Sequence, residues 1–261
     1  MLMDYHIHSS FSDDSIYPME KVVQKAIEVG LDEICFTEHV DHGVKMYALD
    51  FYENYYNEFI RCKNKYRDRI KLKYGAEFGM QTHTIDQFQE DFNKNDFDFV
   101  ILSCHQIQNL EFWTQDFQKG KTQKEYNLAY YEEILHVMQQ YKDYSVLGHL
   151  DAIKRDDLMG IYPYEETKNV LKEILSLAIK DGKGIEINTS NERYGLLDFT
   201  PCKEILLLYK QLGGEIITFG SDTHIEEHVG YHIAEMKGEL KKLGFTKFCS
   251  YNRMKPQFHK L

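Results

Sequence analysis

This chain of 261 residues has few prolines, no stretch with the composition of a linker and no long apolar run. Only four prolines occur, and no Pro-rich or Gly/Ser-rich stretch divides the sequence, so we expect one domain over residues 1–261. No stretch approaches the roughly 18 consecutive apolar residues that a bilayer span needs. The amino terminus shows no basic region followed by an apolar run, so no secretory signal is predicted.

Paired cysteines and excess positive charge are also missing. The five cysteines lie far apart and form no CxxC pair, which indicates reduced thiols and a cytoplasmic location. The formal net charge is −11, which argues against a nucleic-acid-binding surface. We therefore expect no nucleic-acid or membrane partner, whereas an acidic surface suits metal cations or a substrate that carries an amine. The sequence does not predict an oligomeric state.

A regular alternation of strand and helix patterns runs along the chain instead. Helices are predicted over residues 18–30, 51–69, 84–95, 123–141, 164–182, 201–213 and 227–243. They follow seven predicted strands over residues 2–8, 33–39, 70–78, 97–105, 144–150, 183–190 and 214–224. Residues 246–251 are interpreted as a short tail segment. This order predicts an α/β fold in which parallel strands, joined by right-handed crossovers, close into a barrel with outer helices.

Histidines and acids stand where these strands end. His6 and His8 point the same way because side chains alternate along a strand. Further side chains able to bind metal follow at or near later strand ends: His39, Glu77, His105, His149, Asp222 and His224. All carboxyl ends of a parallel barrel meet at one mouth. The sequence therefore predicts a polynuclear metal cluster there, for which Zn, Fe or Mn suit imidazole and carboxylate ligands.

These motifs, in this order, resemble the polymerase-and-histidinol-phosphatase (PHP) family. The chain reads HIHS at 6–9, TEH at 37–39, GAEFG at 75–79, SCH at 103–105, GHLD at 148–151 and GSDTH at 220–224. The resemblance implies a distorted (β/α)7 barrel with two or three divalent metal ions. It implies one metal site of His6, His8, Glu77 and Asp222, a second of Glu77, His105 and His149, and a third of Asp14, His39 and His224. Asp13 remains an alternative to Asp14.

Segments such as TEHVDH, GHLDAIKR and GIEINTSNERYG are similar to the stand-alone phosphatases of this family. That similarity implies hydrolysis of L-histidinol phosphate to L-histidinol and phosphate, a step of histidine biosynthesis. We expect a hydroxide bridging two metals to attack phosphorus in line. The alternatives are a PHP phosphoesterase acting on another small phosphate ester or a nucleotide 3′ end, and a metal-stabilised domain without enzymatic activity.

Three more residues are candidates for catalysis and phosphate binding. Arg155 and Arg193 each follow a predicted strand end, and a guanidinium matches two phosphate oxygens at once. His42 comes three residues after His39 and is the candidate proton donor to the leaving alkoxide. Each of the three could instead be an ordinary residue of a solvated loop.

Overall fold

Seven parallel strands form the centre of the computed structural model, which describes residues 1–261. Their spatial order follows the chain order, and four further strands form two separate hairpins outside this sheet. In chain order the elements are β1 (Met3–Ile7), α1 (Met19–Glu28), β2 (Glu33–Val40), α2 (Phe51–Tyr66), β3 (Lys71–Gly79), α3 (Ile85–Lys94), β4 (Phe99–Ser103), β5 (Gln106–Ile107), β6 (Leu110–Glu111), α4 (Gln123–Gln140), β7 (Val146–Leu147), α5 (Tyr164–Lys180), β8 (Gly184–Asn188), α6 (Lys203–Gln211), β9 (Ile217–Gly220), α7 (Ile233–Lys242), β10 (Lys247–Asn252) and β11 (Lys255–Lys260).

Backbone hydrogen bonds between β1 and the segment after β9 close the sheet. The His8 N–H donates to the Thr223 carbonyl at 3.0 Å, and the Asp222 N–H donates to the His6 carbonyl at 2.9 Å. The barrel is irregular because β7 has only two residues and the register between β1 and β2 shifts after Asp4. The expected distorted (β/α)7 barrel is thereby confirmed, and its mouth collects the carboxyl ends of all seven strands.

The helices form where apolar residues recur at helical spacing. In α1, Met19, Val22, Val23 and Ala26 are buried against the barrel, and Gly30 follows the helix at a φ of +79°. The last helix begins at Ile233, six residues later than predicted, because positive φ values at Gly230 and His232 interrupt the pattern. No helix combines the length and apolar character that a membrane crossing requires.

The carboxyl-terminal segment is an antiparallel hairpin, whereas the sequence analysis predicted only a short tail segment. Strands β10 and β11 pair along their whole length and cover the amino-terminal end of the barrel. The Tyr251 ring packs against Phe99 at 4.9 Å, and the Tyr251 N–H donates to the hydroxyl of Tyr5 at 2.8 Å. The sequence did not predict β11 because this strand contains Pro256 and consists largely of polar residues that face solvent.

Candidate metal centre

Six histidines from the carboxyl ends of β1, β2, β4, β7 and β9 converge at the barrel mouth. Neighbouring imidazole rings lie with their centroids 4.0–5.6 Å apart. The structure thus brings together side chains that are more than 200 positions apart in sequence: His6, His8, His39, His105, His149 and His224. The geometry is the one expected from placing them at strand ends.

Glu77, on β3, lies at the centre of this cluster and is fully buried. Both of its carboxylate oxygens face imidazole nitrogens. Oε1 lies 2.8 Å from Nε2 of His149 and 3.2 Å from Nε2 of His105. Oε2 lies 2.9 Å from Nδ1 of His39, 3.0 Å from Nε2 of His6 and 3.5 Å from Nε2 of His8. A carboxylate that presents both oxygens to separate groups of ligands is suited to bridge two cations.

Five buried polar atoms of the cluster form no well-oriented hydrogen bond, although some of them lie about 3 Å from one another. They are Nε2 of His6 and His8, Nδ1 of His39 and His149, and Oε2 of Glu77. An unpaired buried polar atom costs about 1–3 kcal/mol, so five of them in one cluster need an explanation. Ligand atoms about 2.0 Å from a tetrahedral zinc lie roughly 3.3 Å from one another. Most of the observed separations are close to that value, and the residues present fit divalent cations.

Asp14 completes a further group of ligand atoms near the opening of the mouth. Its Oδ2 lies 3.1 Å from Nε2 of His224 and 3.4 Å from Nε2 of His39, and these two nitrogens are 3.3 Å apart. Asp13 instead pairs with Lys45 at 2.6 Å. The structure therefore brings Asp14, and not Asp13, to the cluster. His39 faces two groups, because its Nδ1 also contacts Glu77.

Asp222 provides the remaining carboxylate of the cluster. Its Oδ1 lies 3.6 Å from Nε2 of His6 and 3.7 Å from Nε2 of His8. Together with Glu77, these atoms form the first of the groups that the sequence resemblance implied. The four side chains come from β1, β3 and the segment after β9; closure of the barrel places β9 beside β1, and β2 lies between β1 and β3.

The imidazoles and carboxylates of the cluster shift one another's pKa values, and the Glu77 carboxylate stays ionised as a result. Burial raises the pKa of Glu77, but the imidazoles of His6, His105 and His39 outweigh burial and hold that pKa well below its usual range. Burial likewise lowers the pKa of His105, but Asp41 and Glu77 raise it to about 9. Without metal, His105 therefore holds a proton at neutral pH, and a cation must displace that proton to bind.

Two carboxylates that the sequence analysis missed orient the histidines. Nδ1 of His105 donates to Oδ1 of Asp41 at 2.8 Å, and Nδ1 of His6 donates to Oε1 of Glu186 at 2.6 Å. A hydrogen bond at Nδ1 fixes the tautomer that leaves Nε2 free to bind a metal. The signal available in the sequence was the isolated acid in the apolar strand GIEIN, which faces the same side as Asn188.

Arg155 lies in the wall of the cavity above the cluster. Its Nη2 donates to Oγ of Ser190 at 2.8 Å and to Oδ2 of Asp222 at 3.2 Å, and its guanidinium lies 4.3 Å from the centre of the Tyr194 ring. Its buried Nε has no hydrogen-bond partner. The guanidinium is thus held in one place while part of its donor capacity remains unused.

Arg193 and His42, unlike Arg155, do not line the cavity. Nη2 of Arg193 donates to the backbone carbonyls of Ser221 and Asp222 at 2.6 and 3.0 Å, so it supports the segment that carries a ligand. Nε2 of His42 bonds to Asp91 at 2.6 Å. The structure therefore does not bring His42 to the cluster as the sequence analysis expected, because its Nε2 is directed towards α3.

A cavity of about 360 Å³ opens above the cluster. Phe112, Trp113 and Tyr194 give it aromatic walls, and Asp156 lies in its lining beside Arg155. Trp113, the only tryptophan of the chain, is about half exposed, so part of its ring is accessible from solvent. The cavity has room for a small molecule with an aromatic ring, and four of the imidazoles lie in its lining: those of His39, His105, His149 and His224.

Barrel and mouth together define a metal-binding (β/α)7 hydrolase, and the comparisons agree. The PHP domain family pattern matches residues 4–190, and the chain belongs to the PHP family. A histidinol-phosphatase of Lactococcus lactis is 34% identical, over 97% of this chain and 95% of that protein. A Clostridium acetobutylicum protein named "Probable histidinol-phosphatase" is 29% identical, over 88% and 89%. The crystal structure of histidinol phosphate phosphatase from Lactococcus lactis, in complex with zinc, L-histidinol and phosphate, matches with a TM-score of 0.85 at 32% identity, over 98% of each chain.

Proposed function

We propose that this chain is a metal-dependent phosphomonoesterase that hydrolyses L-histidinol phosphate to L-histidinol and phosphate. The observation that carries the proposal is the set of five imidazole nitrogens that surround the buried Glu77 carboxylate, next to a cavity with an arginine in its wall. The solved relative that contains zinc, L-histidinol and phosphate supports it. The activity belongs to histidine biosynthesis.

The proposed metal ligands form three groups. The first is His6, His8, Glu77 and Asp222, the second is Glu77, His105 and His149, and the third is Asp14, His39 and His224. Zinc is the first candidate because the solved relative contains it, and Fe or Mn suit the same ligands. Divalent cations bound there would lower the pKa of a coordinated water and neutralise charge on the phosphoryl oxygens.

The two arginines are proposed to bind the phosphoryl group. Ser190 and Asp222 hold Arg155, so its remaining N–H groups are oriented before the substrate arrives. Arg193 binds the backbone carbonyls of Ser221 and Asp222 through Nη2 and lies outside the cavity wall, so its proposed contact with phosphate requires its other donors to turn towards the cluster. Charge on the transferring group is stabilised best by donors that need no rearrangement.

Asp156 is the proposed partner of the substrate's ammonium group. Four of the five acidic side chains in the cavity wall already bond to a lysine, a histidine or an arginine: Asp13, Asp14, Asp41 and Asp222. The Asp156 carboxylate has no such partner, and burial raises its pKa despite the nearby Arg155. An ammonium group would compensate this carboxylate, and Trp113 offers a ring face to the imidazole of the substrate.

We further propose that residues 1–261 act as one PHP-type domain in the cytoplasm. A continuous core of 64 buried residues reaches from β1 to β10 and supports the single domain. Five unpaired thiols, four of them buried, support a reducing compartment.

Steady-state kinetics on the zinc-loaded enzyme tests the proposal. L-histidinol phosphate should give a higher kcat/KM than a second small phosphate monoester or single-stranded DNA with a free 3′ end. Faster turnover of either competitor would assign another substrate. No turnover of any ester by fully loaded protein would contradict the enzymatic function altogether.

A further inference from the structure

One barrel strand supplies no ligand to the metal groups, yet it carries a buried carboxylate directly beside them. Glu186 lies in the middle of β8 with 1% of its surface exposed. No lysine or arginine forms a salt bridge with it; its ion-pair partner is His6. A carboxylate is seldom fully buried without a reason, because removing its charge from water is costly.

Both oxygens of Glu186 accept hydrogen bonds from the candidate ligands. Oε1 accepts from Nδ1 of His6 at 2.6 Å, and Oε2 accepts from the backbone N–H of His149 at 2.8 Å. His6 therefore keeps its proton on Nδ1 and turns Nε2 to within 3.0 Å of Glu77. One side chain thus fixes the ring of one ligand and the backbone of another.

The neighbouring strand leaves room for this arrangement. A Cβ atom at position 220, the last residue of β9, would lie 2.2 Å from Oε1 of Glu186 and 2.3 Å from Cβ of His6. Only glycine permits the carboxylate to pass across β9 and reach β1.

We propose that Glu186 is a positioning residue that determines the metal affinity of the two ligand groups that share Glu77, through the ring of His6 in the first group and the backbone of His149 in the second. The group of Asp14, His39 and His224 makes no contact with Glu186 and is expected to bind its ion independently. The inference rests on the proposed metal binding, but it does not depend on which phosphate ester is the substrate.

The test is the metal content and zinc affinity of Glu186→Gln. Glutamine has one acceptor oxygen and one donor NH2 group, so it cannot accept hydrogen bonds from both His6 and His149. Loss of a residue that orients a ligand typically weakens metal binding about 10- to 100-fold. After gel filtration against a weak chelator, elemental analysis should find about one to two zinc ions fewer per chain than in the unmodified protein, and lost activity should return when zinc is added in excess.

Glu33→Gln is the matched control, since Glu33 is a buried carboxylate at the opposite end of the barrel that bonds to the Tyr5 hydroxyl. It should keep the full zinc content. If Glu186→Gln does not fold, Glu186→Asp replaces it, because aspartate keeps the charge but is too short to reach both partners. A normal zinc content and affinity in the folded variant would overturn the inference. Unmodified protein that binds zinc but hydrolyses no L-histidinol phosphate would overturn only the proposed function.

Discussion

Replacement of Gly79 by alanine should disconnect His105 from the carboxylate that orients it. Gly79 ends β3, between Asp41 after β2 and His105 after β4. An alanine Cβ there would lie 1.8 Å from Oδ1 of Asp41 and 2.6 Å from Nδ1 of His105. Both atoms of the 2.8 Å hydrogen bond would have to move away from the same methyl group.

The size of the effect follows from these distances. Real Cβ contacts are essentially never below 3.0 Å, so Asp41 must withdraw by about 1.2 Å. That exceeds the roughly 0.7 Å by which the hydrogen bond can lengthen before it reaches about 3.5 Å and is lost. Without its acceptor, His105 should bind metal about 10- to 100-fold more weakly, a cost of about 1.4–2.7 kcal/mol. The overpacked site should also cost about 1–3 kcal/mol of folding stability.

The assay compares zinc affinity, kcat/KM and thermal unfolding of Gly79→Ala with those of Gly238→Ala. Gly238 lies exposed within α7, where an added Cβ has no atom within 4 Å. Its replacement should therefore leave zinc binding unchanged and stabilise the helix by up to about 1 kcal/mol. Zinc affinity of Gly79→Ala equal to that of the unmodified chain would refute the reasoning, because the displaced hydrogen bond would then have no role at the metal.

Further predictions concern the cavity and the metal ions. Arg155→Ala should reduce kcat/KM about 10²- to 10⁴-fold, because two charge-assisted hydrogen bonds to phosphate of about 1.5–3 kcal/mol each are lost; Arg155→Lys should not restore the rate, and a loss below tenfold in the alanine variant would exclude phosphate binding by Arg155. Asp156→Asn should raise KM for L-histidinol phosphate about tenfold and leave KM for an amine-free phosphate ester unchanged; equal effects on both esters would count against recognition of the ammonium group. Zinc affinity of the chelator-treated protein should rise with pH by up to about tenfold per unit, because zinc needs the neutral imidazole and the pKa of His105 is about 9; a flat profile in calorimetric titrations between pH 7 and 9 would contradict this.

The metal ligands at the strand ends could be predicted from the sequence because strand alternation and barrel topology together determine where these side chains lie. Alternation within β1 places His6 and His8 on one face, and the closed parallel barrel then brings them to Glu77 and Asp222. Neither step needs any distance information. The same reasoning could predict neither His42, which turns to Asp91, nor the hairpin of β10 and β11. Loop direction depends on local contacts such as the 2.6 Å bond between His42 and Asp91, which leave no periodic pattern.

The orienting carboxylates follow a rule that only the closed barrel reveals. Asp41 belongs to the segment after β2 and reaches His105 after β4, while Glu186 on β8 reaches His6 on β1. In each case the acid and the histidine are two strands apart, and the strand between them ends in a glycine, Gly79 or Gly220.

A side chain on that intervening strand would occupy the path of the carboxylate, as the Cβ distances of 1.8 and 2.2 Å show. The two glycines are therefore required by close approach and not by backbone conformation, since neither has a positive φ. We therefore expect the metal affinity of this barrel to depend on two glycines whose side-chain positions must stay empty. A glycine at the end of a barrel strand, flanked two strands apart by an unassigned acid and a histidine, is the sequence signature of such a pair.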